Sequence, residues 1–305
     1  MKRVNTVVLL LLLASAAQAQ FGKASFLGNV VVPAKKIVLV QNDVDPALRD
    51  ASKYAEEAMT KYWNATKVEF TTKKMSEVEK TKDKELYFGV FAMDDRKLFR
   101  PGKDSEKWMM YAVGFGERDK DGNLKVNLET EFLYIPKTYN ELDVIWVVRI
   151  FNQWVTDGIK NKLPTDMRLS PGLAPPLYRL SETNAGILKT KTLLIDKALL
   201  SKKMDDATIK EIYPFPFKIV SEKEILEAIK TGDKKYAVFQ SVTNYADETG
   251  GLISADVVLD AETGRMLSWS KVTEITVMVK NTDPGRMLLS KSSLKEITKN
   301  LEKRK

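Results

Sequence analysis

The sequence predicts an α+β protein of two tandem α/β-like units, each closing with a β-hairpin and a helix, and three observations carry that expectation. Strand-like runs alternate with amphipathic helical stretches in both halves of the 305 residues. Each half places a glycine turn between two apolar runs, Asp121-Gly122 in one and Thr263-Gly264 in the other. A shift of 150 residues also lays the chain on itself, with Lys73, Glu77, Lys80, Thr81, Asp83 and Lys84 falling on Lys223, Glu227, Lys230, Thr231, Asp233 and Lys234. With element order agreeing around them, these identities predict an internal repeat.

The first unit is expected over residues 36–162. Residues 36–40 read as a short apolar strand. Asp45 and Pro46 open a helix to residue 63, with Leu48, Ala51, Ala55, Met59 and Tyr62 on one face. A strand follows at 67–71, then a short helix without a recognisable cap, then a buried-looking strand at 85–93. Residues 108–116 and 124–135 form a hairpin around Asp119-Lys-Asp-Gly-Asn123, and residues 140–161 form the closing helix. That helix is apolar around most of its circumference, so it is expected in the core or at an interface with a partner.

The second unit, residues 191–305, repeats this order. A strand at 192–197 precedes a short helix at 205–213 stopped by Pro214 and Pro216, then a strand at 217–220. Ser221 and Glu224 form a capping box for the next helix. A strand at 235–243, a hairpin of 253–260 with 265–269, and a helix at 285–303 complete it. On this alignment Leu86 matches Tyr236 and Phe88 matches Val238. Between the units, residues 163–190 carry Pro164, Pro171, Pro175 and Pro176, the composition of a linker or strap.

Residues 1–19 read as a secretory signal peptide. Lys2 and Arg3 are the charged start, Val7 to Ala14 the apolar run, and Ala17-Gln18-Ala19 the cleavage site, with residues 20–35 as a lead into the first unit. The leader resembles that of a Gram-negative exported protein. The apolar run is too short for a membrane span, and no later run is long enough. The expected location is therefore the periplasm, outer surface or medium. Formal charge is +8, and losing Lys2 and Arg3 leaves +6 on the mature chain. The lysines alternate with acids, which argues against nucleic acid as a partner and leaves an envelope protein or glycan.

Chemistry is bounded by what the chain lacks. With no Cys and no His there is no disulfide, thiolate, zinc knuckle, imidazole base or Ser-His-Asp triad, and no cofactor is expected. Carboxylates remain. Asp94 and Asp95 follow the strand at 85–93, where open α/β sheets place ligands, though acidic residues are common at such exits. Glu129 and Glu131 share a strand face and could flank a glycosidic bond, against the plainer reading of a solvated face. Trp108 and Trp269, in hairpin strands, are candidates for stacking a ligand ring.

The Asp119–Asn123 loop fails the calcium-loop spacing, because Leu128 falls where the bidentate Glu belongs; a hairpin turn is expected there instead. Ser268 with Lys271 and Ser292 with Lys295 match Ser/Lys spacing but lack every companion motif. The functional expectation is a non-enzymatic binding or assembly module, the alternative a carboxylate hydrolase centred on Asp94 and Asp95 or Glu129 and Glu131.

Overall fold

The apolar run of residues 37–40 becomes a strand paired on both edges. The computed structural model describes residues 31–97, 107–126, 132–133, 141–160, 184–201, 204–246, 251–269, 274–276 and 288–302. In it β1 (Lys36–Gln41) pairs in parallel with β2 (Glu69–Lys74) and with β3 (Leu86–Lys97). A parallel neighbour needs a crossover, and two helices supply them: α1 (Arg49–Tyr62) between β1 and β2, α2 (Met75–Val78) between β2 and β3. From β3 the sheet turns antiparallel through β4 (Lys107–Arg118), which pairs with both β5 (Leu124–Val126) and β6 (Phe132–Leu133). The strand order is β2-β1-β3-β4-β5. Helix α3 (Glu141–Lys160) closes the unit against α1 and β4.

Alternation along β1 divides the core into two faces. Val38 and Val40 join Met75, Val78, Tyr87 and Phe91 under α2. On the opposite face Trp63, Phe88, Phe115 and Phe151 interlock edge to face, with centroids 4.9 Å apart for Phe88–Phe115 and 5.7 Å for Trp63–Phe115. Phe88 and Phe115 lie directly opposite in the β3–β4 register, so their contact also fixes pairing. Gly89 sits beside Val40, where an added Cβ would come 3.1 Å from the valine Cβ and 3.2 Å from its carbonyl oxygen. Any larger residue there would need β1 to give way by a few tenths of an ångström.

The polar residues that interrupt α3 dock α1. The Asn152 side chain accepts from the backbone N–H groups of Asn64 and Ala65, at 2.7 and 2.8 Å, and donates to the Asn64 side chain at 2.9 Å. The Arg149 guanidinium lies over the Tyr62 ring at 5.2 Å. Trp146 and Ile150 are each only 2% exposed. These two apolar residues of the helix are therefore spent in the interior.

The second unit has the same strand order. β7 (Thr192–Asp196) pairs in parallel with β8 (Phe217–Val220) and β9 (Tyr236–Ala246), and β10 (Gly251–Asp260) follows beside β9. β11 (Met266–Trp269) and β12 (Glu274–Thr276) both pair antiparallel with β10, as β5 and β6 do with β4. Helices α4 (Asp206–Ile212) and α5 (Glu222–Lys230) are its crossovers, and α6 (Lys291–Glu302) closes it. The chain divides into two compact units, with the main boundary between Leu173 and Ala174. The fold class is α+β with two mixed sheets. The leader and most of the Pro-rich strap lie outside the described residues.

At the 150-residue shift, Met59 and Ile209 are both fully buried, as are Val144 and Leu294, and Phe151 and Leu301. The Thr81 and Thr231 hydroxyls donate to the carbonyls of Val78 and Ala228. A second shared feature escaped the sequence reading. Asp45-Pro-Ala-Leu48 and Asp196-Lys-Ala-Leu199 each form a 3₁₀ turn, the Asp side chain accepting from the Ala N–H at 2.9 Å and the Leu buried.

The third strand needs a correction. Phe88 packs on the closing helix through Phe151, and Phe239, not Val238, sits with Leu294 and Ile297. The matching shift there is 151, since a slip of one residue turns every side chain to the wrong face. Three boundaries move as well. β3 runs on to Lys97, the expected strand at 124–135 splits into β5 and β6, and β12 is new.

Truncating Phe115→Ala removes the ring shared by three aromatic contacts. It should cost about 3–5 kcal/mol, read as a lowered urea midpoint. A change of Val44→Ala, exposed in the β1–α1 connection, should shift the midpoint by less than about 0.5 kcal/mol.

Candidate functional site

The carboxyl ends of β1 and β2, where α/β sheets usually hold ligands, are filled by the chain's own polar side chains. Glu56 of α1 accepts from Gln41 and, at 2.7 Å, from the Thr72 hydroxyl. Asn42 accepts from the N–H groups of Val44 and Asp45, and its own N–H donates to the Ser52 hydroxyl at 3.0 Å. Asp43 takes both the N–H and the hydroxyl of Ser76, at 3.0 and 2.6 Å, which holds its carboxyl below the usual range and caps α2 from 33 residues upstream. In the second unit that cap is local: the Ser221 hydroxyl and the Glu224 carboxylate bind each other's ends, and Glu224 is likewise held low.

The opposite, amino-terminal edge of the first sheet is open. Pro33 to Lys36, Lys84 to Leu86, and Glu117 to Lys120 line a concavity of about 610 Å³. Its floor is an ion cluster. Lys36 donates to one Glu85 oxygen at 2.8 Å, Lys73 of β2 to the other at 2.6 Å, and Lys73 also reaches Asp83 at 3.6 Å. Hydrogen bonding from Lys36, then from Lys73, holds the Glu85 carboxyl low; the bond to Glu85 holds Lys73 above the ordinary lysine range. Arg118 is fixed beside it, donating to Gly122 O at 2.7 Å and to Val78 O, with its guanidinium over Tyr87.

On the rim, Lys35, Lys84 and Lys120 are exposed and have no ion-pair or hydrogen-bond partner for their side chains among the described residues. Glu117 is exposed there too. Asp119 is committed to its turn: one oxygen accepts from Asp121 N and Asn123 N, both at 2.9 Å, and Gly122 takes φ 86°. The loop is a hairpin turn, as its spacing implies.

The residues singled out in the sequence fall elsewhere. Asp94 and Asp95 lie within β3, not beyond it, at a register shift between the pairs Met93–Met110 and Arg96–Trp108. Trp269 stands in β11 opposite Val257. Glu129 and Glu131 lie outside the described residues. Ser268 is buried, and Ser292 lies in the first turn of α6. The amino-edge cleft was missed because its residues come from three separate stretches. The one available signal was lysine crowding before two strands, at Lys35-Lys36 and Lys82 to Lys84.

The same edge of the second unit is closed. Lys191, at the position of Lys35, is buried at 8% exposure, donates to Lys234 O at 2.6 Å and pairs with Asp260 at 3.2 Å. Lys234 pairs with Glu262 at 3.5 Å. Ala261, in the β10–β11 turn, is fully buried, its N–H bonded to Tyr236 O at 3.1 Å.

Two stability measurements test these readings. Glu85 stabilises the fold when ionised, an effect present above the unfolded carboxyl value of about 4.3 and lost as pH falls through its lower folded value. Lys73 acts oppositely, its share present below about 10.4 and lost as pH rises through its raised folded value. Glu85→Gln should therefore flatten both limbs of the urea midpoint against pH, costing about 1 kcal/mol near neutrality for these half-exposed pairs. Asp260→Ala, which strands a buried ammonium, should cost about 3–5 kcal/mol, and the double change Lys191→Met with Asp260→Leu should restore most of it. Compared with protein-family models, curated proteins and solved structures, the chain shows no match, so its function rests on this geometry.

Proposed function

We propose that the chain is an exported, non-enzymatic binding module of the cell envelope or secreted space, built from two units of common descent, with the amino-edge cleft of the first unit as its recognition site. One observation carries the reading. The edge where such sheets place reacting groups is packed with structural hydrogen bonds, while the open concavity lies at the other end and is walled by exposed lysines. Cations on flexible stems suit capture of a charged partner from water; they offer no positioned nucleophile or acid–base pair.

The hydrolase alternative keeps one point in its favour. Asp94 and Asp95 fall at a strand irregularity, and bulges often re-aim side chains near active sites.

Expressed with its own leader in a Gram-negative host, the protein should appear outside the cytoplasm and begin at Gln20. Uncleaved protein retained in the cytoplasm would overturn the export reading. The purified chain should turn over none of a panel of glycosides and esters. Turnover lost in D94N/D95N or E129Q/E131Q would replace binding with hydrolysis.

A further inference from the structure

The geometry points to a short oligoanion, carrying closely spaced carboxylate or phosphate groups, as the ligand of the first unit's cleft. This rests on the binding reading above and deepens it by naming the ligand chemistry. The two units differ at this edge. In the second unit both edge lysines are neutralised within the fold: Lys191 by Asp260, Lys234 by Glu262. At the same edge of the first unit, Lys35 and Lys84 have no anionic partner among the described residues.

The acids nearest these lysines in the sequence have other contacts: one Asp119 oxygen accepts from two turn N–H groups. Glu85 is bound by both Lys36 and Lys73. Lys120, in the β4–β5 turn, adds a third ammonium to the rim.

Three like charges around one concavity repel, and an added anion relieves that repulsion. The volume, about 610 Å³, lies within the roughly 300–1,000 Å³ of small-ligand sites. A single monovalent ion would satisfy one lysine; an oligoanion satisfies all three. The rim also carries Glu117, whose carboxylate opposes such a ligand and gives the site a built-in gain variant.

Calorimetry on the full mature chain would use three probes: trigalacturonate for carboxylates, tripolyphosphate for phosphates, and neutral maltotriose. At least one anionic probe should bind, more weakly as salt rises, while maltotriose does not. Changing Lys35, Lys84 and Lys120 together to Glu should weaken binding at least tenfold, and Glu117→Gln should tighten it two- to fivefold. The charge-matched changes Lys197→Glu, Lys210→Glu and Lys299→Glu on the second unit should leave it within twofold, and circular dichroism would confirm folding of each variant.

The preferred anion identifies the source of the charge. Equal losses in the two triple variants would reduce the effect to overall charge and overturn the assignment. So would binding of maltotriose as tight as that of the anions, although a binding function would then survive. Failure to bind any probe by a correctly exported protein would sink the oligoanion site alone.

Discussion

A strand with parallel neighbours on both edges cannot be joined to either by a tight turn, and this constraint organises each unit. β1 and β7 are such strands. Their connections must leave the sheet, cross a face and return, so each unit requires two crossover helices. Burial on both faces follows, and Ile37, Val38, Leu39 and Val40 are each 2% exposed or less. At about 1.5–3 kcal/mol per fully buried aliphatic side chain, these four residues carry a large share of one unit's hydrophobic stabilisation. The antiparallel β3–β4 pair then extends the sheet away from the crossovers, and the closing helix covers the aromatic face it creates.

Features fixed by local chemistry were legible in the sequence. The apolar run of β1, the amphipathic stripe of α1, the Ser221–Glu224 capping box and the Asp-Gly turn all state their structure within a few residues. What failed was settled by partners far along the chain. Helix α2 carried no cap signal because its cap, Asp43, comes from the β1–α1 connection. β3 read as ending at Met93 because Asp94-Asp95-Arg96-Lys97 has the composition of a loop, yet pairing with β4 extends it to Lys97. Buried positions coincide along the helices at a shift of 150, but in the third strand facing selects Phe239 over Val238. Local composition cannot report facing when both neighbours are apolar.

The candidate site was illegible for a related reason. Its lysines gain meaning only from what they do not meet, and that depends on where Asp119 and Glu85 spend their oxygens. Asp119-Lys-Asp-Gly-Asn and Asp260-Ala-Glu-Thr-Gly look equivalent as turn sequences. In space each uses one aspartate oxygen in its turn, and the second aspartate also holds Lys191.

That divergence has an energetic asymmetry. Closing the edge in the second unit requires two buried charges, which hold together only while both are present. Leaving it open in the first unit costs little, because solvated lysines are screened and exposed ion pairs add at most about 1 kcal/mol. The second unit can therefore keep its edge sealed as a stabilising lock while the first exposes its cations at almost no loss of folding energy. The aromatic core is built on Phe88 and Phe115, which do not line the edge concavity. Folding therefore constrains charge at this edge little in the first unit and strongly in the second.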